Sequence, residues 1–370
     1  MRPVELKVAS SDASACINCS NSLDLLSIPF SLALQIFIQH EVVVNHSTQR
    51  LCAQCNHIQV EDLSIPVRRT SKYNRRAVGL LLLELRLHRK GLHVSSLSEV
   101  ELKRATRLTL DQLKNLADRL KIGIVSVFTF LLLCSMGISQ RHLAIFLNCD
   151  QTTISRRFHS VLKAFETYLI PNNLGLHNYT PDRIREKHRT ELFAKIFPNV
   201  VLVVDGTYIY IQKSSDFEFQ KFTYSGQKNR NLLKFLVFCT PSGRYVEIFG
   251  PYGSDGHHND EWLYNACCEM KNSPLTRYLD RNRDELMCDR GFSRIQDYFK
   301  FHCPRSIQKG QKQLSTSDAN FTRALTRFRN VIERCFGRSK QWKILANTIS
   351  IKYARCIGSI FRSIACIENM

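Results

Sequence analysis

The run Val200-Val201-Leu202-Val203-Val204-Asp205-Gly206-Thr207 constrains the fold more than any other stretch of this chain. Five consecutive apolar residues, four of them Val, read as a strand buried on both faces. The run ends in a carboxylate, which is costly at the rim of a sheet unless it is paired or binds a cation. Asp-Gly is also a strong turn signal, so the plain alternative is an Asp that opens a turn.

The chain has 370 residues, enough for two or three domains with real cores, and 44% of them are apolar. Lys and Arg number 52 against 32 Asp and Glu, a formal net charge of +20. Such an excess favours a polyanionic partner, most simply nucleic acid, without conferring sequence specificity. Fourteen Cys with no apolar signal core at the N-terminus point to a reduced, intracellular, soluble protein. The longest apolar run, from Ile122 to Leu133, is interrupted by Gly123, Ser126 and Thr129 and reads as a core helix. No membrane partner is expected.

Near the N-terminus, Cys16-Ile17-Asn18-Cys19 and Cys52-Ala53-Gln54-Cys55 form two Cys-x-x-Cys knuckles. Each knuckle offers two thiolates, which suits one tetrahedral Zn²⁺, with His46 and His57 as replacement ligands. Ordinary free thiols are the alternative. A basic stretch follows, Arg68-Arg69-Thr70-Ser71-Lys72-Tyr73-Asn74-Arg75-Arg76, read as a DNA contact, a nuclear-import signal or a solvated charge run.

Residues 121–170 read as three helices with short turns. Ser139 is placed to cap the second and Asp150 the third. The third carries Gln151, Thr152, Thr153, Ser155, Arg156 and Arg157 near its start. Ile154, Phe158, Val161, Leu162 and Phe165 mark its inner face. That is the plan of a helix-turn-helix, whose last helix offers polar and basic side chains to the DNA major groove. A plain helical bundle with a solvated face is the alternative.

After Asp205 come strand-like runs at Tyr208–Ile211, Asn231–Thr240 and Arg244–Phe249. A short strand then leads to Asp289, and a helix near Ala324–Lys340 carries Glu333. Antiparallel strands, then a strand ending in Asp, then a helix bearing an acid is the order of a ribonuclease H-like α/β fold. Acids converging at one rim would repel one another without cations, and oxygen-only ligation suits Mg²⁺ or Mn²⁺. Two such ions about 4 Å apart can serve an in-line phosphodiester displacement. Ten Lys and Arg lie between residues 301 and 345 against Asp318 and Glu333, which suits DNA phosphates. Gly337 costs that helix about 1 kcal/mol, so a close approach is expected there. An internal salt bridge from Glu333 to Arg329 is the plain alternative. Asp255, His257, His258 and Asp260 crowd one loop. Asp260 reads as a loop residue near the DNA, with a stand-in ligand as the alternative.

Asp205-Gly206-Thr207, Tyr224-Ser225-Gly226-Gln227-Lys228, Asp289-Arg290-Gly291-Phe292 and Ile332-Glu333-Arg334-Cys335-Phe336-Gly337-Arg338 resemble the motifs of the DDE superfamily endonucleases of Harbinger-like transposases. The resemblance spans roughly residues 120–370. It implies a metal-dependent DNA endonuclease and strand-transferase acting on transposon ends, with Asp205, Asp289 and Glu333 as catalytic metal ligands for two Mg²⁺ or Mn²⁺ ions. Arg329, Arg334, Arg338 and Lys340 would hold DNA phosphates. Expected partners are transposon-end and target DNA, with room for a homo-oligomer and a separate DNA-binding protein. The expected compartment is the nucleus. A domesticated, catalytically silent DNA-binding regulator is the rival.

The expected organisation is a Cys-rich segment over 1–66, a basic linker with helices over 67–120 and a helix-turn-helix over 121–170. A linker helix over 171–198 then leads to a ribonuclease H-like catalytic domain over 199–370.

Overall fold

The computed structural model describes residues 92–292, 298–307 and 310–370, and the backbone of two short paired strands, β1 (Leu25–Ser27) and β2 (Arg50–Cys52). Cys16, Cys19, Cys55 and the basic stretch at 68–76 lie outside the described residues. The chain divides into two compact units. One comprises residues 1–115, 127–133 and 138–157, the other residues 116–126, 134–137 and 158–370.

In the first unit the helices begin where short polar side chains cap exposed N–H groups. Helix α1 (Glu99–Thr106) starts with a capping box, in which the Ser98 hydroxyl accepts from Glu101 N–H while Ser98 N–H donates to the Glu101 carboxylate. Two further helices are α2 (Leu110–Leu120) and α3 (Ile124–Met136). Helix α4 (Gln140–Phe146) is capped by Ser139, whose Oγ accepts from His142 N–H at 3.2 Å. Helix α5 (Gln151–Ala164) is opened by the Asp150 backbone carbonyl, which accepts from Thr153 and Ile154. Gln151, Thr152 and Arg156 are exposed, and Thr153, Ser155 and Arg157 are half-buried. Ile154, Phe158, Val161, Leu162 and Phe165 are buried, the face their spacing marks. Among the described residues no single helix is long and apolar enough to cross a membrane.

The second unit is mixed α/β. Its sheet is built on β3 (Val200–Tyr210), whose first five residues are wholly buried. β3 pairs antiparallel with β5 (Arg230–Cys239), and β5 pairs antiparallel with β6 (Tyr245–Tyr252) and with the short β4 (Tyr224–Ser225). On its other edge β3 pairs in parallel with β7 (Glu285–Met287), which pairs in parallel with β8 (Lys300–His302). The order across the sheet is therefore β6-β5-β3-β7-β8.

Two expectations change here. Asp205 does not end its strand: β3 runs on through Gly206 to Tyr210, with Asp205 opposite Val237 and Gly206 opposite Leu236. The Asp-Gly turn signal is overridden because eight residue pairs from Val203 to Tyr210 bond to β5. The strand-like run at Tyr208–Ile211 is likewise no separate strand but continues β3 as far as Tyr210, with β5 on one edge of β3 and β7 on the other.

Helices cover both faces. Val204, Leu236 and Phe238 pack with Leu263, Tyr264 and Cys267 of α10 (Asp260–Glu269) in one buried cluster. The opposite face meets α12 (Thr316–Lys340), the short α13 (Lys343–Ala346) and α14 (Ile357–Asn369). Phe235 meets Phe361 edge to face, and Tyr245 donates its hydroxyl to the Cys335 carbonyl at 2.6 Å. Asn369 acts as a surrogate strand: its amide accepts from Tyr245 N–H at 2.9 Å and donates to Tyr245 C=O at 2.8 Å. This satisfies backbone groups of β6 that would otherwise be orphaned. Between α5 and β3 lie α6 (Ile170–Asn173), α7 (Pro181–Lys187) and α8 (Glu191–Ile196); α9 (Phe217–Thr223) and α11 (Pro274–Tyr278) complete the described helices.

Gly337 lies exposed on α12, and a Cβ there would meet nothing within 4 Å. The expected close approach is absent at this glycine, which leaves only its conformational cost. Gly337→Ala should therefore raise the free energy of unfolding by about 0.5–1 kcal/mol, measured by urea denaturation. A destabilised variant would mean that something packs on this position.

Candidate active site

The site is assembled from three elements. β3 delivers Asp205, the turn after β7 delivers Asp289, and the middle of α12 delivers Glu333. The Arg329 guanidinium lies among all three. Its Nη1 donates to Asp205 Oδ2 at 3.1 Å and lies 3.6 Å from Glu333 Oε1, while Nη2 lies 4.0 Å from Asp289 Oδ1. Asp205 and Glu333 thus share one nitrogen, so their oxygens are no farther apart than those two distances end to end. The i, i+4 spacing on the helix makes Arg329 and Glu333 neighbours; only the packing of α12 on β3 adds Asp205.

Burial at the sheet surface raises the Asp205 carboxyl to about 7, against the pull of Arg329 and of the Gly206 N–H that it accepts at 2.8 Å. Glu333 and Asp289 push it further in the same upward direction. Asp205 is largely buried, whereas Glu333 is exposed and Asp289 half-exposed. The Arg329 Nε is buried without a hydrogen-bond partner. The guanidinium is therefore held by charge more than by a full set of hydrogen bonds.

A fourth carboxylate lies against the glycines that follow Asp205 and Asp289. A Cβ placed on Gly206 would lie 2.8 Å from Asp260 Oδ1, and one on Gly291 would lie 3.7 Å from Asp260 Oδ2. Asp260 thus sits against the residue after Asp205 and the second residue after Asp289. Asn259 caps its helix, its Oδ1 accepting from Trp262 N–H at 2.7 Å. Asp260, expected in a loop, is the first residue of α10. The signal that could have raised it is the pair of glycines that follow the two other Asp. The histidines of this loop serve elsewhere: His258 hydrogen-bonds Asp255 and packs edge to face on Trp262.

Two of the expected phosphate contacts are otherwise engaged. Arg338 donates to the Gly243 carbonyl at 2.7 Å and pairs with Glu368 at 3.3 Å, so its guanidinium serves the packing of α12. Arg329 faces carboxylates and not solvent, because it lies on the buried side of the same helix. Arg334 and Lys340 are exposed.

Among the described residues, no three His, Cys, Asp or Glu side chains surround one point closely enough to hold an ion as they stand. The donors are nonetheless oxygens only, and a cationic group already occupies the space they share. They fit a hard divalent cation such as Mg²⁺ or Mn²⁺ in kind, in competition with Arg329 for the same oxygens.

The raised Asp205 value has a consequence for stability. Between about 4, its ordinary range, and about 7, the folded protein holds a proton that the unfolded chain releases. Ionisation of Asp205 thus opposes folding as pH rises through this window. Without divalent metal, Asp205→Asn should gain stability relative to the parent between pH 4 and pH 7.5, read as a rising difference in Tm. A flat difference would mean that Arg329 neutralises Asp205 completely.

Residues 204–369 match the family of DDE superfamily endonucleases. No curated protein matches the chain. Among solved structures, one described as "Crystal structure of a pre-cleavage Mos1 transpososome" matches at 13% identity. It covers 76% of this chain and 90% of that one with a TM-score of 0.21, too loose a likeness to carry an argument. The matched stretch, which holds Asp205, Asp260, Asp289 and Glu333, is similar to the DDE superfamily endonucleases.

Proposed function

We propose that this chain is a divalent-metal-dependent DNA nuclease and strand-transferase, a transposase acting on transposon ends and target DNA. The observation that carries the reading is the convergence of Asp205, Asp289 and Glu333 on one guanidinium, within a domain of the DDE endonuclease superfamily. The order β6-β5-β3-β7-β8, three antiparallel strands followed by two parallel ones, supports a ribonuclease H-like sheet.

Asp205, Asp289 and Glu333 would hold the metal. When bound, a divalent cation supplies Lewis acidity and a water of lowered pKa. The pairing of β3 with β5 holds Asp205 opposite Val237, which orients its carboxylate before substrate arrives. The exposed Glu333 and Asp289 leave the rim open to a phosphodiester. Arg334 and Lys340, exposed on the same helix, would hold phosphates. In the first step water forms a bond to phosphorus while the bond to the 3′-oxygen breaks, leaving a 3′-hydroxyl and a 5′-phosphate. In the second, that hydroxyl attacks a target phosphodiester and displaces its 3′-oxygen. The exposed Gln151, Thr152 and Arg156, together with Thr153, Ser155 and Arg157, are the proposed duplex contacts, through the major groove. Assembly of two or more copies, a separate DNA-binding partner and a nuclear location belong to the same proposal. So does a zinc site at Cys16, Cys19, Cys52 and Cys55.

One observation favours the rival, a silent DNA-binding regulator. Arg329 offsets part of the carboxylates' charge internally and would have to be displaced by metal. Incubation with labelled terminal-repeat DNA and Mg²⁺ or Mn²⁺ separates the two. Nicking should appear with metal, disappear with EDTA, and fall at least about 100-fold in Asp205→Asn, Asp289→Asn and Glu333→Gln. Gly206→Ala, which crowds Asp260, should lower the rate with little change in Tm. Binding without nicking under every metal condition would favour the regulator, and undiminished nicking by Asp289→Asn would remove it from the site.

A further inference from the structure

Strand β3 continues past the carboxylates into a second cluster of different chemistry. Tyr208 and Tyr210 lie three and five residues beyond Asp205 and share one face of the strand, because successive side chains alternate. Their rings meet edge to face at 5.2 Å. Three cations lie beside them, two from the β4–β5 hairpin and one from the end of α12. Lys228 Nζ lies 5.4 Å and Lys340 Nζ 5.1 Å from the Tyr208 ring, and the Arg230 guanidinium lies 4.0 Å from the Tyr210 ring. Arg230 also donates to Thr348 Oγ1 at 2.7 Å, which fixes its plane.

The cations are exposed and the tyrosines half-buried. Among the described residues none of the three cations is ion-paired with a carboxylate, in contrast to Arg329 and Arg338 a few residues away. A group of like charges with no anion within the fold repels itself, and an external anion relieves that repulsion. The backbone here is accessible too. β7 pairs with β3 only as far as Val203, and the next contact on that edge is the bridge from Ile211 to Ile349. Between them the edge of β3 has no strand partner among the described residues. The interval from Asp205 to Tyr208 is about 10 Å along an extended strand.

Aromatic faces interleaved with unpaired cations are what an unpaired nucleic acid strand requires: π-surfaces for bases and charge for the phosphates. A duplex would use the cations but has no free base faces to offer the rings. We infer that Tyr208, Tyr210, Lys228, Arg230 and Lys340 form a binding subsite for an unpaired DNA strand leading away from the scissile phosphate. This rests on the nuclease reading for its orientation, and the subsite itself can be tested without cleavage.

The test measures fluorescence anisotropy of fluorescein-labelled dT12 with the full chain in EDTA, across a salt series. Lys228→Gln with Arg230→Gln should weaken binding and lower the slope of log K against log salt by about 1.4. Tyr210→Ala should weaken binding about tenfold with the salt slope unchanged, and Tyr210→Phe, which keeps the ring, should restore it. A 12-base-pair duplex should respond to the cation changes and not to Tyr210→Ala. The inference is overturned if dT12 does not bind, if the variants bind it as the parent does, or if Tyr210→Phe fails to restore binding. Tm of each variant separates these outcomes from misfolding. Nicking by the parent protein is followed in parallel. Its absence beside the expected dT12 pattern would count against the nuclease reading alone, and nicking with no Tyr210 dependence of dT12 binding would count against the subsite alone.

Discussion

The charge balance around Arg329 is the interaction on which the rest of this unit turns. Three carboxylates from β3, the β7 turn and α12 approach one another closely enough to meet a single guanidinium. One of them is largely buried, and its ionisation is opposed strongly enough to lift its carboxyl to about 7. Gathering like charges at low-dielectric surface is unfavourable, and one cation offsets only part of it. A site with residual electrostatic demand for positive charge is a site prepared to take more of it. That demand, and not any single hydrogen bond, is what the proposed metal-assisted chemistry would draw on.

The sheet makes this gathering possible by giving β3 two kinds of neighbour. Its antiparallel pairing with β5 runs beyond Asp205 to Tyr210, while its parallel pairing with β7 ends at Val203. Asp205 therefore lies where one edge of the strand stops being covered. Helix α12 packs on the face that carries Asp205, and α10 on the face that carries Gly206. The missing side chain of Gly206 lets Asp260 come up against the strand from the α10 side. One strand thus carries a metal-type site on the side of α12, a glycine window for a further carboxylate, and a tyrosine pair farther along.

The triad and the α/β character were legible because they rest on local patterns. A five-residue apolar run ending in Asp, and an acid in the middle of an amphipathic helix, can be read without knowing what packs on them. The direction of the cations was not legible. Arg329, Arg334, Arg338 and Lys340 fall within one helix, yet two turn inward to carboxylates and a carbonyl and two remain exposed. Helical phase alone places them only roughly, and long side chains reach several partners from one position. The continuation of β3 was hidden for a related reason: an Asp-Gly pair is a turn locally and a strand when a neighbouring strand bonds to it.

By itself the sequence determined the composition of this protein: a basic chain, a buried valine strand, three acids in a given order, and helix starts set by Ser98 and Ser139. These follow from side-chain chemistry and short-range spacing, which act within a few residues. Tertiary structure alone decided which charges meet. It set Asp205, Asp289 and Glu333 around Arg329, brought Asp260 to Gly206, and left Lys228, Arg230 and Lys340 without carboxylate partners among the described residues. Coulombic energy depends on distance in space, and residues more than a hundred positions apart acquire that distance only when the sheet and helices pack.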